Sequence, residues 1–543
     1  MRRRWKITAV VVFVLSLLSG GLFGPRVLAF TDEARGLLRS YTELVTVIHE
    51  NAAREVAYRD LVFSSINGML RQLDPHTAFL SPEAYDNMRD RQRSSFYGLG
   101  ILVGMRNGLL TVITPIEGTP ASRMGMRAGD VISTIEGQPT DSMGINDAVR
   151  QLKGPKGTQV TIEVVRAGLD EPLELTITRD EIPQNTVRYA YMIRPDTGYI
   201  AISDFNRGTG REVQEAIERL QEQGMRRLLL DLRNNGGGLL DQAIEVSDLF
   251  LPEGARIVET RGRTRDSFQE YSATGSRPDV GLPVVVLVNN GTASAAEILA
   301  GAIQDHDVGL IVGSQTWGKG LVQTVYSLSY GAGIALTTAK YYTPSGRLIQ
   351  RDYTSFFDYQ NHPGRLTEAE DELPGSEELA RPTEIFRTDL GREVYGGGGI
   401  TPDIEVPLEE LPPYLQYLLS RSAFFDYAVL FTSENQVEGR EWWPDDETLA
   451  GFSKWLVEGE LSSPEEIEEA LADPEVRAAV ARQLRAEVFN AAFDFQARHQ
   501  VLADGDPQIQ RALELFGEAS ALLSRRQGLE DEPATPAREG VGL

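Results

Sequence analysis

The sequence predicts a multidomain α+β protein in which helical segments flank a small β-rich module and a larger alternating α/β region. Three observations lead to this fold class. The chain has 543 residues, too many for one hydrophobic core. The spacing of apolar residues changes from helical to alternating and back along the chain. Turns that contain Gly or Pro separate the short apolar runs in the middle.

Composition excludes several kinds of chemistry. The net charge of −26 repels phosphate backbones, so we expect no nucleic-acid partner. The chain has no cysteine, which excludes disulfides, thiolate zinc sites and a cysteine nucleophile. Its five histidines are isolated from one another, which excludes an H-E-x-x-H metal site. We therefore expect neither a metal nor a cofactor.

The first 29 residues predict export. Arg2, Arg3, Arg4 and Lys6 precede an apolar run from Ile7 to Phe23, and a small residue follows at Ala29. This pattern is typical of a secretory signal. The length of the run leaves open whether it is a cleaved signal peptide or a retained membrane anchor. We expect the protein in the periplasm or at the outer face of the cytoplasmic membrane.

Residues 30–95 predict a helical arm, because apolar residues recur there at helical spacing. Residues 96–181 predict a compact module of short strands with one helix at Ile145–Leu152. The predicted strands of this module are Leu109–Ile113, Val131–Glu136, Val160–Val165 and Leu173–Thr178.

Residues 182–410 predict layered α/β packing, interrupted by a polar, acidic insertion over 351–390. Residues 411–525 return to helical periodicity, and the polar tail 526–543 predicts disorder. The predicted strands of the α/β region are Tyr199–Ile202, Leu228–Leu232, Val284–Val288, Leu310–Val312 and Ile334–Tyr341. Its predicted helices are Arg211–Gln223, Leu240–Phe250 and Ala295–Asp305.

A serine follows the predicted strand Val284–Val288 at the start of a helix. At this position Ser294 is exposed beside backbone N–H groups and the positive end of the helix dipole, which favour developing negative charge. An isolated serine there is more often an ordinary helix cap. Ser294 is therefore a candidate nucleophile only if other motifs support it.

The segment Gly313–Gly320 resembles a phosphate-binding loop, but Gly320 stands where Ser or Thr should hold magnesium. The residues after Lys319 also alternate like a strand, whereas a phosphate loop opens a helix. A lysine between glycines at the start of a buried strand can instead be desolvated, which lowers its pKa from about 10.4 toward roughly 7–8. Lys319 could then accept a serine proton, and Gln323, on the same strand face, could orient its amine.

A third motif is a strand that ends at Arg233, Asn234 and Asn235 before three glycines. Backbone N–H groups of such a turn are open to a phosphate or an oxyanion, although a Gly-rich turn alone is unspecific.

Together, the three motifs resemble, in order and spacing, the carboxyl-terminal processing peptidases, also called tail-specific proteases, over residues 74–403. The resemblance implies a crotonase-like α/β protease core with Ser294 as nucleophile, Lys319 as general base and Gln323 as its partner. It also implies an oxyanion hole built from the backbone N–H groups of Ala295, Gly236 and Gly237. Two departures, Asn235 and Ala296, supply no catalytic side chain. Glu297, one helical turn beyond Ser294, could support the site, but a carboxylate on an exposed helix surface is the commoner case and is expected here.

The module at 96–181 resembles a permuted PDZ domain of the bacterial type. Gly98, Leu99, Gly100 and Ile101 match its carboxylate-binding loop, and Gly118–Asp130 matches its internal signature. The N–H groups of this loop can bind a terminal carboxylate while the following strand pairs with the peptide.

The sequence therefore predicts a serine endopeptidase that binds exposed apolar C-terminal tails of envelope proteins through a PDZ domain and cleaves near them. A binding-only adaptor would lack Ser294 or Lys319. A trypsin-like PDZ protease would need a His–Asp–Ser triad and a catalytic domain before the PDZ domain. The substrate, an adaptor protein, inner-membrane anchoring, a homo-oligomer and the regulatory effect of the PDZ domain remain open.

Overall fold

A computed structural model describes residues 34–275, 280–353, 384–408 and 410–528. The predicted signal or anchor, most of the predicted insertion and nearly all of the predicted tail lie outside the described residues. The chain forms two compact units. The first contains the described residues up to Tyr85 together with 323–337, and the second contains the remainder of the described residues.

The helices and strands of the described residues have the following bounds. The helices are α1 (34–51), α2 (Tyr58–Leu70), α3 (Pro82–Gln92), α4 (Pro120–Arg123), α5 (Ile145–Leu152), α6 (Thr209–Glu222), α7 (Leu240–Ser247), α8 (Ala295–Asp305), α9 (Pro413–Ser420), α10 (Ala423–Glu434), α11 (Asp446–Glu458), α12 (Pro464–Ala472), α13 (Pro474–Ala492), α14 (Phe495–Ala503), α15 (Pro507–Glu514) and α16 (Phe516–Arg526). The strands are β1 (Ala78–Leu80), β2 (Ser95–Gly98), β3 (Ile101–Arg106), β4 (Leu109–Pro115), β5 (Val131–Ile135), β6 (Gln138–Pro139), β7 (Gln159–Val165), β8 (Leu173–Thr178), β9 (Asp180–Pro183), β10 (Val187–Arg194), β11 (Thr197–Ile202), β12 (Arg227–Asp231), β13 (Arg256–Gly262), β14 (Gln269–Ser272), β15 (Val284–Val288), β16 (Gly309–Gly313), β17 (Leu321–Ser327), β18 (Gly333–Tyr342), β19 (Glu384–Arg387), β20 (Glu393–Gly396) and β21 (Ile404–Glu405).

The first unit contains helices, as the sequence predicted, and also a short strand that the sequence did not reveal. Strand β1 follows α2 and pairs antiparallel with the beginning of β18, with Ala78 opposite Ala335. The ring of Phe79 in this strand lies 4.8 Å from the ring of Phe63 on α2. Three residues are too few to show an alternating pattern, so the strand was invisible to periodicity.

In the second unit, residues 95–183 contain an antiparallel sheet in the order β3-β4-β5-β7-β8, with β6 paired to β5. Alternate residues of these strands, such as Val160, Ile162 and Val164, are fully buried in one apolar core. Strand β3 has one neighbour within the described sheet, so its other edge can accept a further strand. Strands β2 and β9 form a separate two-stranded ladder at the boundary of this module.

A six-stranded sheet in the order β10-β11-β12-β15-β16-β21 forms the centre of the α/β region. Strands β11, β12, β15, β16 and β21 are parallel, and β10 is antiparallel to β11. Because successive side chains point to opposite faces, Leu228 and Leu230 pack with α6, α7 and α8. Leu229, between them, packs with α15 and α16 on the other face.

The helical C-terminal region has two parts. Helices α9 to α14 contribute to an apolar cluster that includes Phe424, Phe452 and Leu484. Helix α10 also contacts the β-rich module, where the Arg106 guanidinium lies 4.8 Å from the centre of the Phe425 ring. Within the part of the chain that the structure describes, no helix combines the length and apolar character needed to cross a bilayer.

Candidate active site

Ser294 lies between β15 and α8 in a conformation that few non-glycine residues adopt, with φ 56° and ψ −115°. Such a conformation costs free energy of order 1–3 kcal/mol and persists only where the surroundings impose it. The surroundings here are rigid, because every residue of α8 is buried. Ser294 itself is half-buried at the N-terminus of that helix.

The glycine turn after β12 packs directly against Ser294. Gly237 has φ +95°, and a Cβ atom added to it would lie 2.7 Å from the Ser294 Cβ and 2.9 Å from the Ala295 nitrogen. Only glycine tolerates both the backbone conformation and the contact. The structure therefore brings together Ser294, Ala295 and the turn that contains Gly236 and Gly237.

Asn235 organises this turn, a role that the sequence did not reveal. Its side chain is fully buried; Nδ2 donates to the Ile202 carbonyl at 2.8 Å, and Oδ1 accepts from the Gly237 N–H at 2.9 Å. The Asn235 carbonyl accepts from the N–H of Ala293 at 2.9 Å. The Gly237 N–H is thus already engaged, whereas Gly236 is exposed.

Glu297 is fully buried, which corrects its expected place on an exposed helix surface. Its Oε2 accepts from the N–H groups of Ser294 at 2.7 Å and Lys319 at 2.9 Å. Its Oε1 accepts from the Gly318 N–H at 2.7 Å and the Thr316 hydroxyl at 2.5 Å. Burial raises the pKa of Glu297, and these four donors act in the opposite direction. One carboxylate therefore joins the backbone at Ser294 to the backbone at Lys319.

Lys319 is half-buried, two residues before β17 begins, so a strand follows it as the sequence predicted. The preceding Gly318 has φ +85°, and a Cβ there would lie 2.9 Å from the Gly399 nitrogen. The N–H of Gly320 donates to Gln350 Oε1 at 2.8 Å. Tight packing on both sides therefore fixes the backbone that carries the lysine.

The remaining predicted residues are Gln323 and the residues of the predicted carboxylate loop. Gln323 belongs to the first unit, where its Nε2 donates to Thr337 Oγ1 at 3.3 Å. The predicted carboxylate loop lies in the β-rich module, where Gly100 has φ +80°. A Cβ at Gly100 would lie 2.3 Å from that of Thr119, whose hydroxyl donates to the Gly100 carbonyl at 3.0 Å. Thr119 thus braces this loop.

A buried charge network supports the strand end before the glycine turn. Arg233 pairs with Asp231 at 2.7 Å and with Asp506, the N-cap of α15, at 2.8 Å. The hydroxyl of Tyr199 donates to Asp231 at 2.7 Å. Although burial opposes ionisation of Asp231, Arg233 and these hydrogen bonds lower its pKa. Burial also lowers the pKa of the neighbouring His499 to about 4.

A cavity of about 1480 Å³ lies within the second unit. It is bounded by β3 of the β-rich module at Ile101 and Leu102, by Asp204 after β11, and by Val429 on α10. Residue Phe205, next to Asp204, donates its N–H to the Gly237 carbonyl at 3.0 Å. The cavity therefore reaches from the free edge of β3 to the backbone that supports the glycine turn.

Comparisons with known proteins agree with this organisation. Residues 196–355 match peptidase family S41, and residues 111–166 match the PDZ domain. A carboxy-terminal-processing protease of Bartonella bacilliformis is 44% identical over 294 residues, covering 53% of this chain and 67% of the relative. A carboxyl-terminal-processing protease of Synechocystis is 37% identical over 375 residues, covering 64% and 86%. A chloroplastic C-terminal processing peptidase of Tetradesmus obliquus is 37% identical over 307 residues, covering 53% and 65%.

These matches define a serine peptidase of family S41 that carries a PDZ domain. The chain belongs to the carboxyl-terminal-processing proteases. The expected family and enzyme class are therefore confirmed.

Proposed function

We propose that this protease cleaves near the C-terminus of exported proteins with Ser294 as nucleophile and Lys319 as general base. The observation that carries the proposal is the Glu297 carboxylate, which accepts from the backbone N–H groups of both residues. Because the backbone at Ser294 and the backbone at Lys319 both donate to this one buried carboxylate, it fixes the position of the nucleophile's backbone relative to that of the base. Such rigidity is what proton transfer between positioned side chains requires.

In the reaction, the Lys319 amine takes the proton of Ser294 Oγ while the oxygen attacks the scissile carbonyl. The tetrahedral oxyanion binds the N–H groups of Ala295 and Gly236, where the N-terminus of α8 favours negative charge. Gly237, whose N–H is engaged by Asn235, contributes its close approach to Ser294. Lys319 returns the proton to the leaving amine, and water then hydrolyses the acyl-enzyme. Gln323 orients the lysine amine.

Substrate selection in this proposal begins at the PDZ loop. The N–H groups of Leu99, Gly100 and Ile101, after Gly98, bind the terminal carboxylate, and the tail pairs with the free edge of β3. The cavity beside β3 gives the preceding residues of the tail a route toward the backbone behind the glycine turn.

The cellular setting is also part of the proposal. The basic and apolar first 29 residues support an exported enzyme in the periplasm or at the outer face of the cytoplasmic membrane, with envelope proteins as substrates. In this proposal the PDZ domain spans residues 96–181 and the protease core spans residues 182–410.

The test uses an unstructured peptide with an apolar C-terminal tail, prepared with a free carboxylate and as its amide. Ser294→Ala and Lys319→Ala should each abolish cleavage in proteins whose circular dichroism matches the unaltered enzyme. The amide should be cleaved about tenfold or more slowly, because it lacks the charge that the PDZ loop binds. Retained activity in folded Lys319→Ala would exclude this base, and equal rates for acid and amide would exclude carboxylate recognition.

A further inference from the structure

A short two-stranded neck connects the PDZ domain to the protease core. Strand β2 leads into the domain and β9 leads out of it, and the two strands pair antiparallel with Ser95 opposite Pro183. Beside them, the N–H of Gln184 donates to the Ser94 carbonyl at 2.7 Å. Two paired strands are only marginally stable by themselves, so the neck alone does not fix the orientation of the domain.

Helix α10 of the C-terminal region gives the PDZ domain a second attachment. At the end of β3, Arg106 donates to the hydroxyl of Ser422, the N-cap of α10, and its guanidinium lies 4.8 Å from the centre of the Phe425 ring. In the turn after β3, the Nδ2 group of Asn107 donates to Asp426 Oδ2 at 3.2 Å. Phe425 is only 3% exposed, although it lies outside the apolar cluster of the C-terminal helices. The hairpin of β3 and β4 therefore covers a ring that the helices do not enclose.

Two glycines of the PDZ domain also lie against α10. Gly129 has φ +86°, and a Cβ added to it would lie 2.6 Å from Val429 Cγ2. A Cβ added to Gly168 would lie 3.8 Å from the Cβ of Ser433. The residues at or in α10 that meet the PDZ domain recur every three or four positions, which is the spacing of one helix face. They are Ser422, Phe425, Asp426, Val429 and Ser433.

The rest of α10 is fixed to the protease core. Phe424 and Tyr427 belong to the apolar cluster that α10 shares with α13 and α14. On α14, the ring of His499 stacks on Tyr189 of β10, with ring centres 3.9 Å apart. Strand β10 belongs to the central sheet, in which β15 leads to Ser294. A continuous packed path therefore runs from the PDZ domain, through α10 and α14, to the sheet that carries the nucleophile.

We propose that α10 is a specificity-determining element: it holds the PDZ domain in a fixed position relative to Ser294, and so sets how many residues from the C-terminus the substrate is cut. The inference rests on the proposed function, in which the PDZ loop binds the terminal carboxylate and Ser294 attacks the scissile bond. The substrate is then bound at two fixed points. An extended chain rises about 3.3 Å per residue, so displacing the PDZ domain by that distance moves the cut by about one residue. The cavity between β3 and Asp204 leaves room for such a displacement.

The test uses a peptide with an apolar tail and a free carboxylate, preceded by a run of identical alanines. Neighbouring bonds in this run differ only in their distance from the C-terminus, and mass spectrometry of the products locates each cut. Gly129→Ala places a methyl group against Val429 and should detach the domain from α10. We expect the unaltered enzyme to cut mainly at one bond, and Gly129→Ala to spread its cuts over about three neighbouring bonds, as a displacement of about 3.3 Å to either side would do.

Gly137→Ala is the matched control within the same domain. Gly137 has φ +73°, so alanine imposes a similar backbone strain there, but a Cβ meets nothing within 4 Å. This variant should keep the cutting pattern of the unaltered enzyme. Val429→Ala removes the methyl groups that the new Cβ of Gly129→Ala meets. Added to Gly129→Ala, it should narrow the pattern again, whereas strain inside the PDZ domain would not respond to a change on α10.

Three results would overturn the inference: a folded Gly129→Ala that cuts at an unmoved bond, even if more slowly, equal spreading in Gly137→Ala, or no narrowing by Val429→Ala. If Gly129→Ala does not fold, Arg106→Ala replaces it, because it removes the contacts with Ser422 and Phe425, and an unmoved cut in that variant would count equally against the role of α10.

Ser294→Ala and the amidated peptide are measured alongside. Retained cleavage by Ser294→Ala, or equal rates for acid and amide, contradicts the proposed function. An inactive Ser294→Ala and a slower amide, together with an unmoved cut in Gly129→Ala, contradict only the role of α10.

Discussion

Replacing Glu297 with glutamine changes one oxygen of a fully buried carboxylate into an NH₂ group. Each of the two oxygens accepts two hydrogen bonds, one pair from Ser294 and Lys319 and the other from Gly318 and Thr316. In either orientation the new NH₂ group therefore faces at least one backbone N–H donor that has lost its acceptor. The isosteric change preserves volume, so its effect reports hydrogen bonding.

The magnitude follows from the number of bonds. A hydrogen bond to a charged group contributes roughly 1.5–3 kcal/mol, so loss of two costs about 3–6 kcal/mol. Misplacement of Ser294 relative to Lys319 would raise the activation free energy. If the lower figure appears in full in that barrier, the rate falls about a hundredfold. We expect kcat for the free-acid peptide to fall about a hundredfold, with KM changed much less, because the PDZ loop is untouched.

The assay pairs peptide cleavage with circular dichroism and a thermal melt of the same preparations. Glu222→Gln is the matched control, since Glu222 lies exposed at the end of α6. We expect this control to keep full activity. A folded Glu297→Gln enzyme with kcat within twofold of the unaltered protein would refute the view that this carboxylate holds the site together.

Two further predictions concern residues near the glycine turn. Gly237→Ala should lower kcat by about a hundredfold or more, because its Cβ would lie 2.7 Å from the Ala293 carbonyl oxygen. The control Gly68→Ala should keep its kcat, because a Cβ there meets nothing within 4 Å. Full activity in folded Gly237→Ala would contradict this packing. His499 should titrate near pH 4 by NMR. Because its pKa is lower in the folded than in the unfolded chain, it stabilises the fold above pH 6.5, and this contribution is lost as the pH falls toward 4. Replacing it with Phe should therefore reduce the change in unfolding free energy between pH 7 and pH 4.5 by about 2 kcal/mol, and an NMR midpoint near 6.5 would contradict its burial.

Several elements could be predicted from the sequence with their actual ends. The strand Val284–Val288 and the helix Ala295–Asp305 have the predicted bounds, because a continuous apolar run and a turn of Asn, Gly and Thr mark both. Strand β13 was not predicted. Its sequence Arg256–Gly262 contains three charged residues, and Glu259 is buried there through its pairing with Arg261. No local pattern reveals such pairing.

In the candidate site, too, some features could be predicted from the sequence and others could not. The order of the motifs predicted where Ser294, Lys319 and the glycine turn occur along the chain, but not what joins them. Residues 295–303 of helix α8 are apolar on all sides apart from Glu297, and a helix of that kind is buried. A buried carboxylate needs partners, so this signal could have identified Glu297. The role of Asn235 could not be found in this way, because its partner Ile202 lies 33 residues earlier.

The helical C-terminal region, whose role the sequence left open, follows from the physics of the central sheet. Parallel strands are buried on both faces, and α6, α7 and α8 cover only one of them. Leu229 and the residues that share its face therefore require a second layer, which α15 and α16 supply. Asp506, the N-cap of α15, binds Arg233 at 2.8 Å, two residues before Asn235. The helices that complete the core thus also fix the strand end from which the glycine turn begins, so substitutions in this region should affect turnover as well as stability.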